Sequence, residues 1–299
     1  MKKKVCILIA TYKRKLSLIK LLNSLSNLII PNSIKIQILI CANDNQDYSE
    51  LDKLFKKKLN IKFTRERRKG ISFARNKSLK ENKYKNYEYF AFLDDDTIVD
   101  KKWLIEMIKF IKNYNADIVG GPQLTNSPSL FNHLLVREEN HGSEIQWAST
   151  NNCFFKKKVL KNNLKFSKKL NLIGGEDQLF FLLLKKKGYK ICWNQKAKVF
   201  EQKNIDRQSL YWFLKRNFRY GASSSIIYKS AYGSLTGLLV LFLKLFFDFC
   251  KSFFYFVFLF TFSKKNFYKF LMYISRFTGS ICGLFGLQYI EYDRKTSSS

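Results

Sequence analysis

The chain has 299 residues, 46% of them hydrophobic and 26% charged, which is too apolar for a disordered chain and enough for one large domain or two smaller ones. Lys and Arg number 54 against 23 Asp and Glu, and the difference, +31, points either to an anionic partner or to the general lysine bias of an AT-rich coding sequence. Six scattered cysteines without a C-x-x-C pair, and only two histidines, argue against a structural zinc and for reduced thiols in a cytosolic compartment.

The opening MKKKVCILIATYKRK puts lysines ahead of an apolar run, as a secretory leader does, but the run Val5 to Ala10 is too short for one and ends in further basic residues. It reads instead as a first strand, Val5 to Thr11. Leu16, Ile19, Leu22 and Leu25 predict a helix over 15–26, KIQILIC (35–41) reads as a second strand, and 48–58 as a short helix. A third strand, 61–64, turns at Gly70 into a helix over 72–80, and YEYFAFL (87–93) is the fourth strand. Near-continuous apolar strands alternating with helices predict an α/β fold, a Rossmann-like, mainly parallel sheet covered on both faces. Ligands of such sheets bind beyond the carboxyl ends of the strands. The segments ATYKR, ANDNQD and DDD, which follow the first, second and fourth strands, are therefore expected to converge.

Asp94, Asp95 and Asp96 form the sharpest local feature, since three adjacent like charges need a partner. If strand alternation continues through them, Asp94 and Asp96 face one side, about 7 Å apart at roughly 3.3 Å per residue, and Asp95 the other. Hard carboxylate oxygens in that arrangement suit Mg2+ or Mn2+ shared with substrate phosphates. As residues alone they read equally as a solvated turn and the acidic start of a helix before Trp103.

Five stretches, in order, resemble the family 2 glycosyltransferases of the GT-A fold: ILIATYKR (7–14), ANDN (42–45), GISFARN (70–76), FLDDD (92–96) and GGEDQLFFLLLKKKGYKICW (174–193). The likeness runs from Val5 to about Gly221, and VFEQKNIDRQSLYWFLKRNFRYG (199–221) is similar to bacterial succinoglycan-type polysaccharide transferases. The resemblance implies a metal-dependent, inverting enzyme. It would move a sugar from a nucleotide-diphosphate donor, a uridine diphosphate sugar first, to a lipid-linked or cell-surface glycan. It also implies a catalytic domain over 1–222.

Carried over residue by residue, the resemblance puts Thr11, Tyr12 and Arg14 in the nucleotide pocket and has Asp44 accept a hydrogen bond from the base. Arg75 would hold base or diphosphate through its guanidinium fork, although by itself it reads as a surface helix residue. Asp94 and Asp96 would hold a divalent cation, Asp96 first, with Asp95 and Asn152 contacting the donor sugar-nucleotide. Asp177, beside Glu176, would be the general base, a carboxylate kept ionised by a helix N-terminus; read without the resemblance, the pair is an ordinary acidic helix start. Arg207, Arg216 and Arg219 read either as diphosphate or lipid contacts or as a solvated basic face. Where many relatives place a histidine after the last strand, this chain has Glu201 and Gln202. A nucleic-acid-binding protein is disfavoured because no binding motif is present. A glycoside hydrolase would leave Arg14, Asp44 and Arg75 without a task.

Beyond residue 222 the chain becomes hydrophobic. LTGLLVLFLKLFFDFCKSFFYFVFLFTF (235–262) has spanning length but carries Lys244, Asp248 and Lys251, one polar stripe on a helix. Charge at that depth is costly, so an in-plane or re-entrant amphipathic helix is expected, attached to an anionic membrane at the cytoplasmic face of a bacterial cell. A second segment, 267–289, carries Gly279 and Gly283 at the spacing of close helix packing. The alternatives for 223–299 are a helical bundle on the catalytic domain and a dimer interface.

Overall fold

A computed structural model of the chain describes residues 2–82, 86–125, 128–202, 205–288 and 290. Contacts divide it into two units, residues 1–126, 136–166 and 180–202, and residues 127–135, 167–179 and 203–299.

In the first unit the strands are β1 (Lys3–Thr11), β2 (Ile34–Ala42), β3 (Ile61–Arg65), β4 (Tyr89–Asp94), β5 (Thr97–Val99), β6 (Ile118–Gly120), β7 (Gln123–Thr125), β8 (Asn152–Lys156), β9 (Ile191–Trp193) and β10 (Val199–Glu201). Between them run α1 (Lys15–Ser26), α2 (Ser49–Phe55), α3 (Ile71–Asn82) and α4 (Trp103–Asn113). Seven strands form the main sheet in the order β3-β2-β1-β4-β8-β6-β9, and β5-β10-β7 form a small second one. The pairs β1/β2, β2/β3, β1/β4 and β6/β9 are parallel, while β8 runs antiparallel to both β4 and β6. This is the mainly parallel α/β sheet expected from the apolar runs.

Alternate residues of β1 feed two different cores. Val5, Ile7 and Ile9 pack with Leu18 and Leu22 of α1 and Trp103 of α4, whereas Cys6 and Leu8 pack with Leu79 of α3, Phe155 of β8 and Phe181. Both sides of the strand are thus buried, which is why its sequence is apolar throughout rather than alternating. Strand order reverses at β1, with β2 and β3 on one side and β4 on the other, and in-register pairing sets Ala10 opposite Asp94. A crevice beyond the carboxyl ends at such a switch point is where open α/β sheets take ligands.

The second unit holds α5 (Leu130–His133), the start of α6 (Glu176–Lys186), and three long helices, α7 (Leu210–Tyr232), α8 (Ser234–Val257) and α9 (Lys264–Leu284). Ser209 caps α7, its hydroxyl accepting from Trp212 N at 3.1 Å, and Gly233, at φ 86°, turns the chain into α8. The expected domain boundary after residue 222 falls inside the continuous α7. Gly279 and Gly283 lie directly on α7: a Cβ at either would land on the carbonyl oxygen of Phe218 or Ala222. Among the described residues no helix is long and apolar enough to cross a membrane.

Candidate active site

The three segments expected to converge do meet, through polar side chains of the first unit. Beyond β1 the backbone turns through Lys13, a non-glycine residue at φ 52°, and its N–H is donated to the Asp44 carboxylate. Asp44 also accepts from Gln46 N at 3.0 Å and from the Tyr48 hydroxyl at 3.0 Å. Its carboxylate thus ties the end of β2 to the end of β1, an obligation that the sequence did not announce. Next to it, Asn43 donates to the carbonyls of Glu66 and Arg68, both at 2.7 Å, and accepts from Gly70 N at 2.8 Å. Gly70 sits at φ 124°, and from this anchored turn α3 starts in a fixed direction.

Fixing α3 fixes Arg75. Its guanidinium is buried, lies 5.7 Å from the Phe166 ring, and donates to Asp94 Oδ1 at 3.0 Å. The next residue, Asn76, exchanges two hydrogen bonds with the backbone of Phe166, at 3.0 and 2.8 Å. The Ala-Arg-Asn stretch therefore does two jobs, one residue holding an aspartate and its neighbour bolting the helix down.

The triplet departs from simple alternation. β4 ends at Asp94, and Asp95 and Asp96 form a turn into β5. Asp95 is buried, accepting from the Thr11 hydroxyl at 2.7 Å and from Arg14 Nη1 at 3.1 Å, while the same Arg14 nitrogen reaches Asp96 Oδ2 at 2.9 Å. Arg14 thus bridges Asp95 and Asp96, and Arg75 meets Asp94. The period of two holds only while the backbone is extended, and the turn breaks it. Three carboxylates face two guanidinium groups, which answers how the cluster is tolerated. Burial pushes the Asp95 carboxyl up to about 6, opposed by Arg14 and reinforced by Asp96. On its far side the Asp96 carbonyl accepts from Gln202 N at 2.8 Å, so the segment after β10 joins the cluster through Gln202.

The donor set at the end of β4 is all carboxylate oxygen, the hard type that Mg2+ and Mn2+ take, and it fits a cation shared with diphosphate. Among the described residues no group of three or more His, Cys, Asp or Glu is arranged to hold an ion by itself. Tyr12 is half-buried on the loop after β1, 5.6 Å from Lys13 Nζ.

Asn152 corrects an expectation. It is only 1% exposed, its amide donates to Pro122 O at 3.1 Å and Ala197 O at 2.8 Å, and its Oδ1 accepts from Trp103 Nε1 at 2.8 Å. Both amide protons are spent inside the fold, so this residue is a bolt between loops rather than a sugar contact.

The remaining candidates belong to the second unit. Gly174 and Gly175, at φ 91° and 87°, lead into α6, whose first turn carries buried Glu176 and half-buried Asp177. Asp177 Oδ1 accepts from Gln178 N at 2.7 Å. The Arg219 guanidinium is buried against Gly174, and Arg216 donates to the Tyr220 hydroxyl at 2.6 Å while lying over the Trp212 ring at 5.0 Å. These two are packed parts of the bundle rather than a solvated face. Arg207 is half-buried on a short 3-10 turn before α7.

The family model of Glycosyl transferase family 2 matches residues 6–169. The chain is 26% identical over 226 residues to the succinoglycan biosynthesis protein ExoM of Rhizobium meliloti (strain 1021), which is 71% of either chain. Among solved structures it is similar to S. aureus TarS, with a TM-score of 0.53 and 19% identity, over 79% of this chain and 43% of that longer one. TarS 1-349 in complex with UDP-GlcNAc gives 0.53 and 17%, over 79% and 72%. The mannosyltransferase PcManGT from Pyrobaculum calidifontis, in complex with GDP-Man and Mn2+, gives 0.64 and 13%, over 96% and 88%.

Proposed function

This chain belongs to glycosyl transferase family 2, with the GT-A fold, and on that premise we propose that it is an inverting transferase of polysaccharide biosynthesis. It takes a sugar from a uridine diphosphate donor and delivers it to a lipid-linked or cell-surface glycan at the cytoplasmic face of a bacterial membrane. The observation that carries the reading is the cluster at the β1/β4 switch point, where Thr11 and Arg14 meet Asp95 and Asp96 and Arg75 meets Asp94. The ExoM relative supports polysaccharide as product, and the TarS complex supports a uridine nucleotide.

Each side chain has a task in that scheme. Tyr12 and the loop tied to Asp44 frame the base. Arg14 and Arg75, already aimed at carboxylates, present guanidinium forks to diphosphate oxygens, the geometry in which arginine binds best. A divalent cation, which Asp94 and Asp96 would hold, supplies charge stabilisation of the departing diphosphate; Mn2+ accompanies the donor in the PcManGT structure. Asp177 takes the proton of the acceptor hydroxyl as that oxygen bonds to the anomeric carbon and the bond to diphosphate breaks on the opposite face. It stands in the first turn of α6 beside Glu176. Residues 1–222 form the catalytic part in this reading and 223–299 the membrane-associating part.

Isothermal titration of the protein with UDP and with GDP, with and without Mn2+, tests the site: UDP should bind in a Mn2+-dependent way and more tightly than GDP. Binding of neither nucleotide would overturn the reading. Asp177→Asn should lower transfer by about 100-fold or more at nearly unchanged UDP affinity, the scale of a lost general base. An active variant would remove Asp177 from that role.

A further inference from the structure

The three-helix bundle of the second unit buries polar groups and exposes large apolar ones. On α8 the residues facing α7 and α9 are Gly237, Leu241, Leu245, Asp248 and Ser252, all buried. The opposite side carries a stripe of large apolar side chains at steps of four and three, among them Phe242, Phe246 and Phe253, which are 57%, 61% and 60% exposed. Polar groups share the interior with Leu241, Leu245 and Phe213. Lys244 donates to Asp248 Oδ2 at 2.6 Å and to the Ser280 hydroxyl at 3.1 Å, and Arg276 donates to Asn217 Oδ1 at 2.9 Å. The helix backbones approach closely at glycines, as Gly221 and Gly279 show. In water this arrangement exposes what should be buried. In hydrocarbon it is the normal one: lipid covers the apolar side, small residues let helices close, and polar side chains turn inward to each other.

Charge says which surface lies outside. Between Leu210 and Leu284 the three helices carry ten Lys and Arg and one acid, Asp248, which is buried and paired. With +31 on the whole chain, a second copy would be repelled, whereas an anionic lipid leaflet would be attracted. Lys264 and Lys265 follow directly on the exposed Phe260 and Phe262 at the turn between α8 and α9, apolar and basic groups side by side as at a headgroup boundary.

We propose that the outer face of α8, with the α8–α9 turn, is embedded in the acyl layer of one leaflet of an anionic bilayer, the polar seam of Lys244, Asp248 and Ser280 being sealed inside the bundle. This deepens the membrane part of the proposed function and rests on it: the attachment is hydrophobic insertion without crossing, and the basic residues add the preference for anionic lipid.

The test uses the full chain and vesicles of phosphatidylcholine alone or mixed with phosphatidylglycerol, floated at about 0.1 M and about 1 M salt, where the Debye length falls from roughly 10 to 3 Å. The protein should float with the anionic vesicles at both salts and with the neutral ones more weakly. The triple variant Phe242→Ser, Phe246→Ser, Phe253→Ser should lose at least about tenfold in bound fraction, because each ring contributes more than a tenfold factor on burial. Its far-ultraviolet circular dichroism should match the parent's. As a second variant, Lys244→Met with Asp248→Leu should float like the parent, since neither side chain meets lipid. Release of the parent at about 1 M salt would leave only surface electrostatics and overturn insertion. So would a triple variant that floats unchanged, or a parent that dimerises without vesicles through a contact the triple variant breaks. UDP titration of the same samples reports on the catalytic reading separately, so failure there with flotation intact would leave this proposal standing.

Discussion

Phe154 in the central sheet and Phe246 on α8 are the same side chain in opposite surroundings. Phe154 is fully buried, its ring 5.2 Å from that of Tyr89 and edge-on to Trp103 at 6.4 Å, whereas Phe246 is 61% exposed. The amides differ in the same sense. Asn152, in the sheet unit, ties helix α4 and the loops at Pro122 and Ala197 together, while Asn217, in the bundle, donates back to Phe213 of its own helix at 2.8 Å and accepts from Arg276. The comparison shows that apolar rings are buried in one unit of the chain and exposed on the other. The sheet has apolar cores on both faces, whereas the bundle buries Asp248, paired with Lys244, and Asn217 beside Leu241 and Phe213 and leaves a stripe of phenylalanines exposed.

The largest effect expected from breaking that comparison is at the sheet. Phe154→Ala should cost about 3–5 kcal/mol in denaturant unfolding, through lost burial and the cavity left behind. In the absence of lipid Phe246→Ala should change stability by no more than about 0.5 kcal/mol. Similar losses at both positions would mean that α8 buries its aromatic stripe against protein.

A smaller effect is expected at Asn152. Replacement by Ala should cost about 2 kcal/mol, because the Trp103 indole N–H and two carbonyls lose a partner inside the fold. UDP affinity should stay as it was; a selective loss of donor binding with unchanged unfolding would return Asn152 to the ligand.

The gentlest probe is alkali. Burial pushes the Cys41 thiol from 9.0 to about 12 and, likewise, the Tyr87 phenol from 10.0 to about 12. Above pH about 9 the unfolded chain therefore loses these protons first and binds fewer than the native state, so stability conferred by the buried neutral forms falls as pH climbs towards 12. Cys41→Ala should flatten that slope in thermal unfolding; an identical slope would assign the loss to other groups.

Much of this could be read in advance because it rests on local patterns. The apolar runs of β1, β2 and β4 and the spacing of α1 fixed element types to within a residue or two, and α/β order implied which loops gather at one edge of the sheet. The Asp triplet and the Arg of the Ala-Arg-Asn stretch stood out as charges at strand and helix ends. Asn43, Tyr48 and Gln202, which hold the site together, carried no such signal, since a polar residue after a strand is common and its partner lies tens of positions away. The turn at Asp95 carries no signal for a related reason: a strand's period of two does not mark where the strand stops.

By itself the sequence determined the class of fold, the family, the cluster of carboxylates at the end of β4 and the hydrophobic character of the chain beyond residue 222, since composition and short-range period survive in any fold that the chain adopts. Tertiary structure alone decided which arginine meets which aspartate, that Asn152 is spent on the scaffold, and that Lys244 and Asp248 turn inward while the phenylalanines turn out. Partner choice depends on distances between residues far apart in the chain, and a helix with apolar residues around most of its circumference does not reveal which side its neighbours will cover.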